Sequence, residues 1–286
     1  MSRFPLTLSA LAVGLATALA APAALAQEQT RKPSHCIAIA DAAPGLSYVQ
    51  TASFGAPLED FTVRLSYIAH ASFLIEGPEG FTAVTDYTGF LGNTSFFPDV
   101  VTMNNAHSTH WTANPDPRIP HVLPGWNTSG PNPVEHYLDL GEVLVRNVPT
   151  DVRSGFGTVS APLGNSIFVF EIAGLCIGHL GHLHHEPNDM QYAALGRLDV
   201  VMAPVDGGYT VPQDVMISIL RRLRSSVIVP MHWFGDFTLQ SFLTGMASEF
   251  RVEYRDTNFL EVSLRTLPSE PTVVVLRPAW LRDDDL

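Results

Sequence analysis

The 286-residue sequence predicts a mixed α/β domain. Its first half holds short apolar or alternating runs separated by turn residues, the pattern of strands. Its second half alternates such runs with segments of helical spacing. Three of the apolar runs end in histidines. Val100-Val101-Thr102-Met103 leads to His107 and His110, and Leu175-Cys176-Ile177 leads to His179, His182, His184 and His185. Val227-Ile228-Val229 leads to His232. Such strand ends can converge at one edge of a sheet, and imidazole is the commonest metal ligand among side chains.

The N-terminus reads as a secretory signal. Arg3 gives the positive start, Leu6 to Leu19 is apolar, and Pro22 precedes the small-residue site Ala24-Leu25-Ala26. The apolar run falls short of the ~20 residues of a membrane span. Residues 1–26 are therefore expected to be removed after Ala26 and the chain exported, to a bacterial periplasm or beyond, with no membrane span left. Residues 27–60 are polar and weakly patterned, an extension laid on a domain of residues 61–286. The chain has two cysteines, Cys36 and Cys176. An oxidising compartment permits a disulfide between them, and we expect one. Two unpaired thiols, or Cys176 as a metal ligand, are the alternatives.

Strands are expected over 61–68, 71–76, 81–85 and 99–103, with the turn Gly77-Pro78-Glu79-Gly80 between the second and third. Residues 112–136 carry six prolines and read as a long irregular loop over the histidines, and loops of that length are usually functional. Strands follow at 143–148 and 166–172, joined through Gly155-Phe156-Gly157. Next come a short helix at 190–195, a strand at 199–203, a helix at 212–223 with proline at its start, a strand at 227–229 and a helix at 238–250. Late strands are expected at 251–254, 260–262 and 272–276. The acidic end Asp283-Asp284-Asp285 reads as a solvated tail.

A hydrophobic content of 46 % supports a sizeable core, and the formal net charge is -12 with Lys32 as the one lysine. Such a surface repels a nucleic-acid backbone. The expected partner is a small-molecule substrate. Oligomeric state cannot be read from these residues.

Several blocks resemble the metallo-β-lactamase superfamily, in particular its branch of ascorbate-phosphate lactonases and related metal-dependent hydrolases. Tyr67 to Ile75 looks like the opening hairpin of that branch, and Thr85-Asp86 like the family's first-motif aspartate. Asn105 to His110 sits where the family has H-x-H-x-D-H, and His179-Leu180-Gly181-His182 resembles H-x-G-D. Ala203 to Thr210 and Pro230-Met231-His232 match the last two blocks. The resemblance implies a four-layer αββα sandwich with a metal site along one edge. It places Asn105, His107 and His179 at one metal and Thr109, His110, His182 and His232 at the other.

The carboxylates that would help to hold two cations have become Thr109 and His182. Two divalent ions a few ångströms apart need anionic compensation, so one metal per chain is expected. The expected ligands are His107, His110, His179, His182 and His232. Zinc suits such nitrogens best, and manganese, iron or nickel remain alternatives. Near the site we place Asn105, Thr109, His70, Asp86 and His185, with Asp86 and Asp206 as carboxylates that orient imidazoles. His35, His121 and His136 are not expected to be ligands. Asp206 and His184 are candidate catalytic bases, with Glu186 and His185 as further choices. The function so implied is an exported metal-dependent hydrolase acting on a small ester, lactone or phosphoester. The alternative is a non-catalytic metal- or ligand-binding protein on the same scaffold.

Overall fold

A computed structural model describes residues 31–38, 56–128, 130, 132–154 and 159–283. The expected signal segment and the Gly155-Phe156-Gly157 connection lie outside these residues. The described chain falls almost wholly within one compact unit, Pro33–Leu286.

In chain order the elements are α1 (His35–Ala38), β1 (Val63–Ala69), β2 (Ser72–Glu76), β3 (Thr82–Val84), β4 (Gly92–Asn93), β5 (Val100–Met103), β6 (His121–Pro124) and β7 (Tyr137–Asp139). They continue with β8 (Val143–Arg153), β9 (Val159–Ile172), β10 (Leu175–His179), α2 (Asp189–Leu195), β11 (Val200–Pro204), α3 (Gln213–Leu223) and β12 (Val227–Met231). The last are α4 (Asp236–Met246), β13 (Arg251–Tyr254), β14 (Phe259–Val262), β15 (Thr272–Val275) and β16 (Leu281–Arg282). One sheet runs β14-β1-β2-β3-β5-β6 and the other β13-β15-β12-β11-β10-β9-β8-β7, with β16 and β4 paired apart.

The two sheets pack face to face. Strand residues alternate between faces, so Leu65, Tyr67, Phe73 and Ile75 of the first sheet meet Phe168, Phe170, Met202 and Val229 of the second in a dry interior. On the outer face of the second sheet, Ile167, Val169, Val201 and Ile228 are covered by Met216, Ile219 and Leu220 of α3 and Phe242, Leu243 and Met246 of α4. Strands β10, β11 and β12 are buried on both faces, which is why they read as unbroken apolar runs. The outer face of the first sheet has Tyr87, Leu91, Ile119, Trp111 and Trp126 over Ile68, Leu74, Val84 and Val101. Among the described residues that fourth layer is built of loops, because residues 107–110 make turns instead of a helix.

Two segments differ from expectation. His121–Pro124 of the proline-rich stretch pairs in parallel with β5 and closes the first sheet. Its neighbours pack locally, with Gly125 N donating to Met103 O at 2.6 Å and Ser166 Oγ to Gly125 O at 2.6 Å. The β8–β9 hairpin also extends well beyond the expected 143–148 and 166–172 strands. Its outer half is largely exposed, so it lacks the apolar alternation that marks a strand, and ladder pairing with bulges at 150–153 carries it on.

The N-terminal segment is pinned to the outer face of the second sheet. Cys36 and Cys176 form a disulfide with Cα atoms 5.7 Å apart, and both are fully buried. Beside it lies Glu171, which accepts from Ser34 Oγ, from His35 N at 3.0 Å and from Arg146 Nε at 2.9 Å. His35 Nδ1 stands 2.8 Å from the same carboxylate. Burial alone would raise Glu171, but hydrogen bonds from His35, Ser34 and Arg146 outweigh it and hold the carboxyl at about 2. Among the described residues no helix is long and apolar enough to cross a membrane.

The disulfide closes a sequence separation of 140 residues, and loop-closure entropy for such a length gives about 2–5 kcal/mol. Guanidinium unfolding should show a lower midpoint with reductant present, and Cys36→Ser/Cys176→Ser should match the reduced protein. An unchanged midpoint would refute the staple. Glu171 makes a second, pH-dependent contribution. Its folded pKa is depressed, so its stabilisation is complete above the ordinary value of 4.5 and fades as pH falls toward about 2. Glu171→Gln should flatten that acidic limb of the stability curve.

Candidate metal centre

The site lies at one edge of the sandwich, where β1, β3 and β5 of the first sheet and β10, β11 and β12 of the second all end. Ligands commonly bind outside the carboxyl ends of strands. His70 follows β1, Asp86 follows β3, and His107 and His110 follow β5. His182 and His184 follow β10, Asp206 follows β11, and His232 follows β12. The two sheets are tied here, since His70 O accepts from His232 N at 2.9 Å and from Tyr67 Oη at 2.7 Å.

His110 and His232 form the centre. Their Nε2 atoms face each other at 3.3 Å, and both rings are buried. Each ring is held from behind by a carboxylate. His110 Nδ1 is 2.6 Å from Asp86 Oδ2, and His232 Nδ1 is 3.0 Å from Asp206 Oδ1. A carboxylate beside Nδ1 favours the proton there and leaves the Nε2 lone pair facing outward. With both rings in that tautomer, the facing Nε2 lone pairs suit a cation between them. Two nitrogens bound at about 2.0–2.1 Å in a tetrahedral shell stand about 3.3–3.4 Å apart.

His70 completes a triad. One ligand atom from each of His70, His110 and His232 lies within 4.8 Å of the others. His70 Nε2 is buried without a hydrogen-bond partner, and its ring is 4.0 Å from that of His232. The His182 ring sits beside the triad, 4.7 Å from His110 and 5.0 Å from His232. Its Nδ1 is 2.8 Å from His184 Nε2. His107 stands at the exposed rim, 5.5 Å from the His182 ring, with Nδ1 3.0 Å from Thr109 Oγ1. His185 has a buried Nε2 without a partner. Asn105 is committed to an antiparallel bridge with Asn165.

Burial lowers His70 to about 3, His182 to about 2 and His184 to about 4, and neighbouring imidazoles or Arg153 add to it. His110 is likewise lowered by burial. These rings are neutral at ordinary pH, the form that binds metal. Burial pushes Asp86 up to about 7.

Backbone geometry marks the same residues. His70, Asp86 and His232 have φ of 51°, 44° and 58°, in the left-handed region that non-glycine residues seldom adopt. Each costs of order 1–3 kcal/mol and persists where surrounding structure enforces it. Gly181 has φ of 56°, and a Cβ there would meet Asn104 Nδ2 at 1.6 Å. The glycine lets the chain turn sharply after β10 and swing His182 back over the edge.

Two expectations are corrected. His179 is turned inward from the triad, with its Nδ1 buried and without a hydrogen-bond partner. It lies on the inner face of β10 with Leu175 and Ile177, inside the sandwich, where Nε2 is 2.8 Å from Ala71 O and the ring lies against Phe73. His179 is the last residue of β10, and strand parity fixes that direction. Asp206 is not free to act as a base. Its Oδ2 accepts from the amides of Gly208, Tyr209 and Thr210, and its Oδ1 accepts from Thr210 Oγ1 and faces His232. Burial would raise it, but hydrogen bonds with His232, Thr210 and Gly208 hold it well below the usual carboxylate range. His136 bonds Pro124 O, and His35 belongs to the Glu171 cluster. His70, expected near the site, stands within the triad itself, a position that a histidine in a hairpin turn does not signal in the sequence.

The fold and the imidazole centre define the metallo-hydrolase class of scaffold. The model of the beta-lactamase superfamily domain matches residues 64–232, more than half of the chain, and the chain belongs to that family. Among solved structures, it is similar to a candidate Zn-dependent hydrolase of the metallo-beta-lactamase superfamily from Thermotoga maritima. Identity is 26%, coverage is 75% of this chain and 98% of that one, and the TM-score is 0.52. A metallo hydrolase of Ignicoccus hospitalis matches at 20% identity over 65% of this chain and 91% of its own, with a TM-score of 0.48. No curated protein matches the sequence. The fold family binds divalent metals, and the histidine cluster fits that property.

Gly181→Ala should cost about 2–4 kcal/mol, since a methyl group meets both backbone strain and the Asn104 side chain. Thermal unfolding measures the loss. A variant as stable as the parent would show that the turn relaxes freely.

Proposed function

We propose that the chain is a metal-dependent hydrolase with a single centre in which His70, His110 and His232 hold one divalent metal. The observation that carries this is the facing Nε2 pair of His110 and His232, 3.3 Å apart with a carboxylate behind each ring. Three nitrogens and an open position form the donor set of a catalytic zinc site. Zinc is the metal we propose, and iron or nickel would also accept imidazole. When bound, the metal supplies a Lewis acid that polarises the scissile bond and acidifies water.

The chain's own residues do the rest. Asp86 and Asp206 orient His110 and His232. His182 stands on the open side, and its Nδ1 is tied to His184 Nε2, so a neutral imidazole is held there to orient the substrate or the attacking water. His107 lines the rim with Thr109. His179 holds the β10 edge against β2 and takes no part in binding. The substrate is a small ester, lactone or phosphoester, and the protein acts outside the cytoplasm, a reading supported by the N-terminal residue pattern and the Cys36–Cys176 bond.

Metal content and ester turnover across three variants test this. His110→Ala should lose the metal and all activity. His182→Ala should keep about one metal per chain and lose about 10²–10⁴-fold in kcat. His179→Ala should keep the metal and lower the unfolding temperature. Loss of metal in His179→Ala with retention in His110→Ala would overturn the assignment. Full metal occupancy without turnover of any ester, lactone or phosphoester would make this a binding protein.

A further inference from the structure

The loops after β11 and β12 carry more than site ligands. Tyr209 and Phe234 are 69% and 62% exposed. Their rings meet edge to face at 5.4 Å. Phe234 continues onto the imidazoles, with centroids 5.3 Å from His232 and 5.7 Å from His70. An apolar wall thus runs from solvent to the centre. Single exposed aromatics are ordinary, but a contiguous pair beside a site marks a binding surface.

Both residues are held firmly by their backbones while their rings face water. Tyr209 N donates to Asp206 Oδ2 at 2.6 Å, and Arg153 Nη2 bonds the carbonyls of Gly208, Tyr209 and Thr210 at 2.6, 3.2 and 2.7 Å. Phe234 follows Trp233, whose ring packs on Tyr67 at 5.4 Å. A wall so fixed spares a ligand part of the ordering cost. The same contacts bear on charge. Nη2 of Arg153 is taken up by those three carbonyls. Asp206, held ionised one imidazole away from the centre, offsets part of the charge of a divalent cation there.

We propose that Tyr209 and Phe234 bind the apolar acyl or leaving group of a neutral carboxylic ester or lactone, and that this site selects such substrates over anionic phosphoesters. The inference rests on the hydrolase reading above for the position of the reacting bond.

The test uses the full chain, metal-loaded and metal-stripped, with ring resonances of Tyr209 and Phe234 followed by NMR. Alkyl hydroxamates from acetohydroxamate to octanohydroxamate carry a chelating head and a growing tail. Their affinity for the metal-loaded protein should rise about twofold with each added methylene, roughly half of what complete burial gives. In Tyr209→Ala/Phe234→Ala the gradient should vanish. Both rings are exposed, so the double variant should unfold at the parent temperature. A matching series of 1-alkanols, with the tail alone, should shift both ring signals even without metal. Alkanol shifts without hydroxamate chelation would remove the metal centre and keep the wall. A hydroxamate gradient that is flat in the parent, or equal in the double variant, overturns the wall. So does faster turnover of bis-p-nitrophenyl phosphate than of p-nitrophenyl octanoate.

Discussion

The contact on which the site depends is a pair of imidazole nitrogens that cannot satisfy each other. His110 and His232 present Nε2 to Nε2 at 3.3 Å inside the protein. Each has a carboxylate beside its other nitrogen, at 2.6 Å for His110 and 3.0 Å for His232, and with the protons on that side neither Nε2 can donate to the other. Leaving such groups buried and unmatched costs about 1–3 kcal/mol apiece. The left-handed backbone at His70, Asp86 and His232 adds strain at the same place. The hydrophobic sandwich supplies the opposing stability, and it also sets the geometry. Six strand ends from two sheets meet along one edge, and the hydrogen bond from His232 N to His70 O locks the sheets together there.

The parts of this arrangement that could be read in the sequence are those where one strand signal ends and a polar residue begins. Continuous apolar runs give β5, β10 and β12, and the residues just beyond them include His107, His110, His182 and His232. His179 shows the limit of that reasoning. It is the last residue of β10, and parity sends it into the sandwich, so its direction depends on where the strand stops. His70 shows the converse. Nothing in Tyr67-Ile68-Ala69-His70 marks the last residue as different from any hairpin histidine, and only the pairing of the two sheets brings it to His232. The strand β6 was hidden by prolines, and the outer half of the β8–β9 hairpin by exposure, since neither shows the alternation that burial imposes.

The altered positions have a shared electrostatic logic in our reading. Where the family pattern expects carboxylates in direct contact with metal, this chain has Thr109, which faces His107, and His182, which bonds His184. Carboxyl groups are still present, but they sit one ring further out, at Asp86 and Asp206, and only Asp206 is held firmly ionised. A carboxylate at that distance attracts a cation less strongly, and attraction falls with separation and with the dielectric between. It also cannot bridge two ions. The arrangement therefore favours one cation coordinated by neutral nitrogen, with the carboxylates fixing ring orientation. Apolar residues come up to the centre as well, Phe234 lying 5.3 Å from His232 and 5.7 Å from His70.

The N-terminal staple and the site are linked through β10. Cys176 and His179 are three residues apart on this strand. By parity they face opposite sides of the sheet, the cysteine toward the helix layer and the histidine into the sandwich. Glu171, on the neighbouring strand β9, pairs directly across from Cys176. A buried carboxylate with one arginine would be poorly compensated, and Ser34 and His35 supply the remaining hydrogen bonds. Those two residues belong to a short helical segment with no core of its own. The disulfide keeps them within reach, because a tether raises the local concentration of a weakly docking segment without adding any contact. Loss of the bond would therefore cost more than chain entropy. It would release the partners of Glu171 and leave a charged group buried behind the strand that leads to His182.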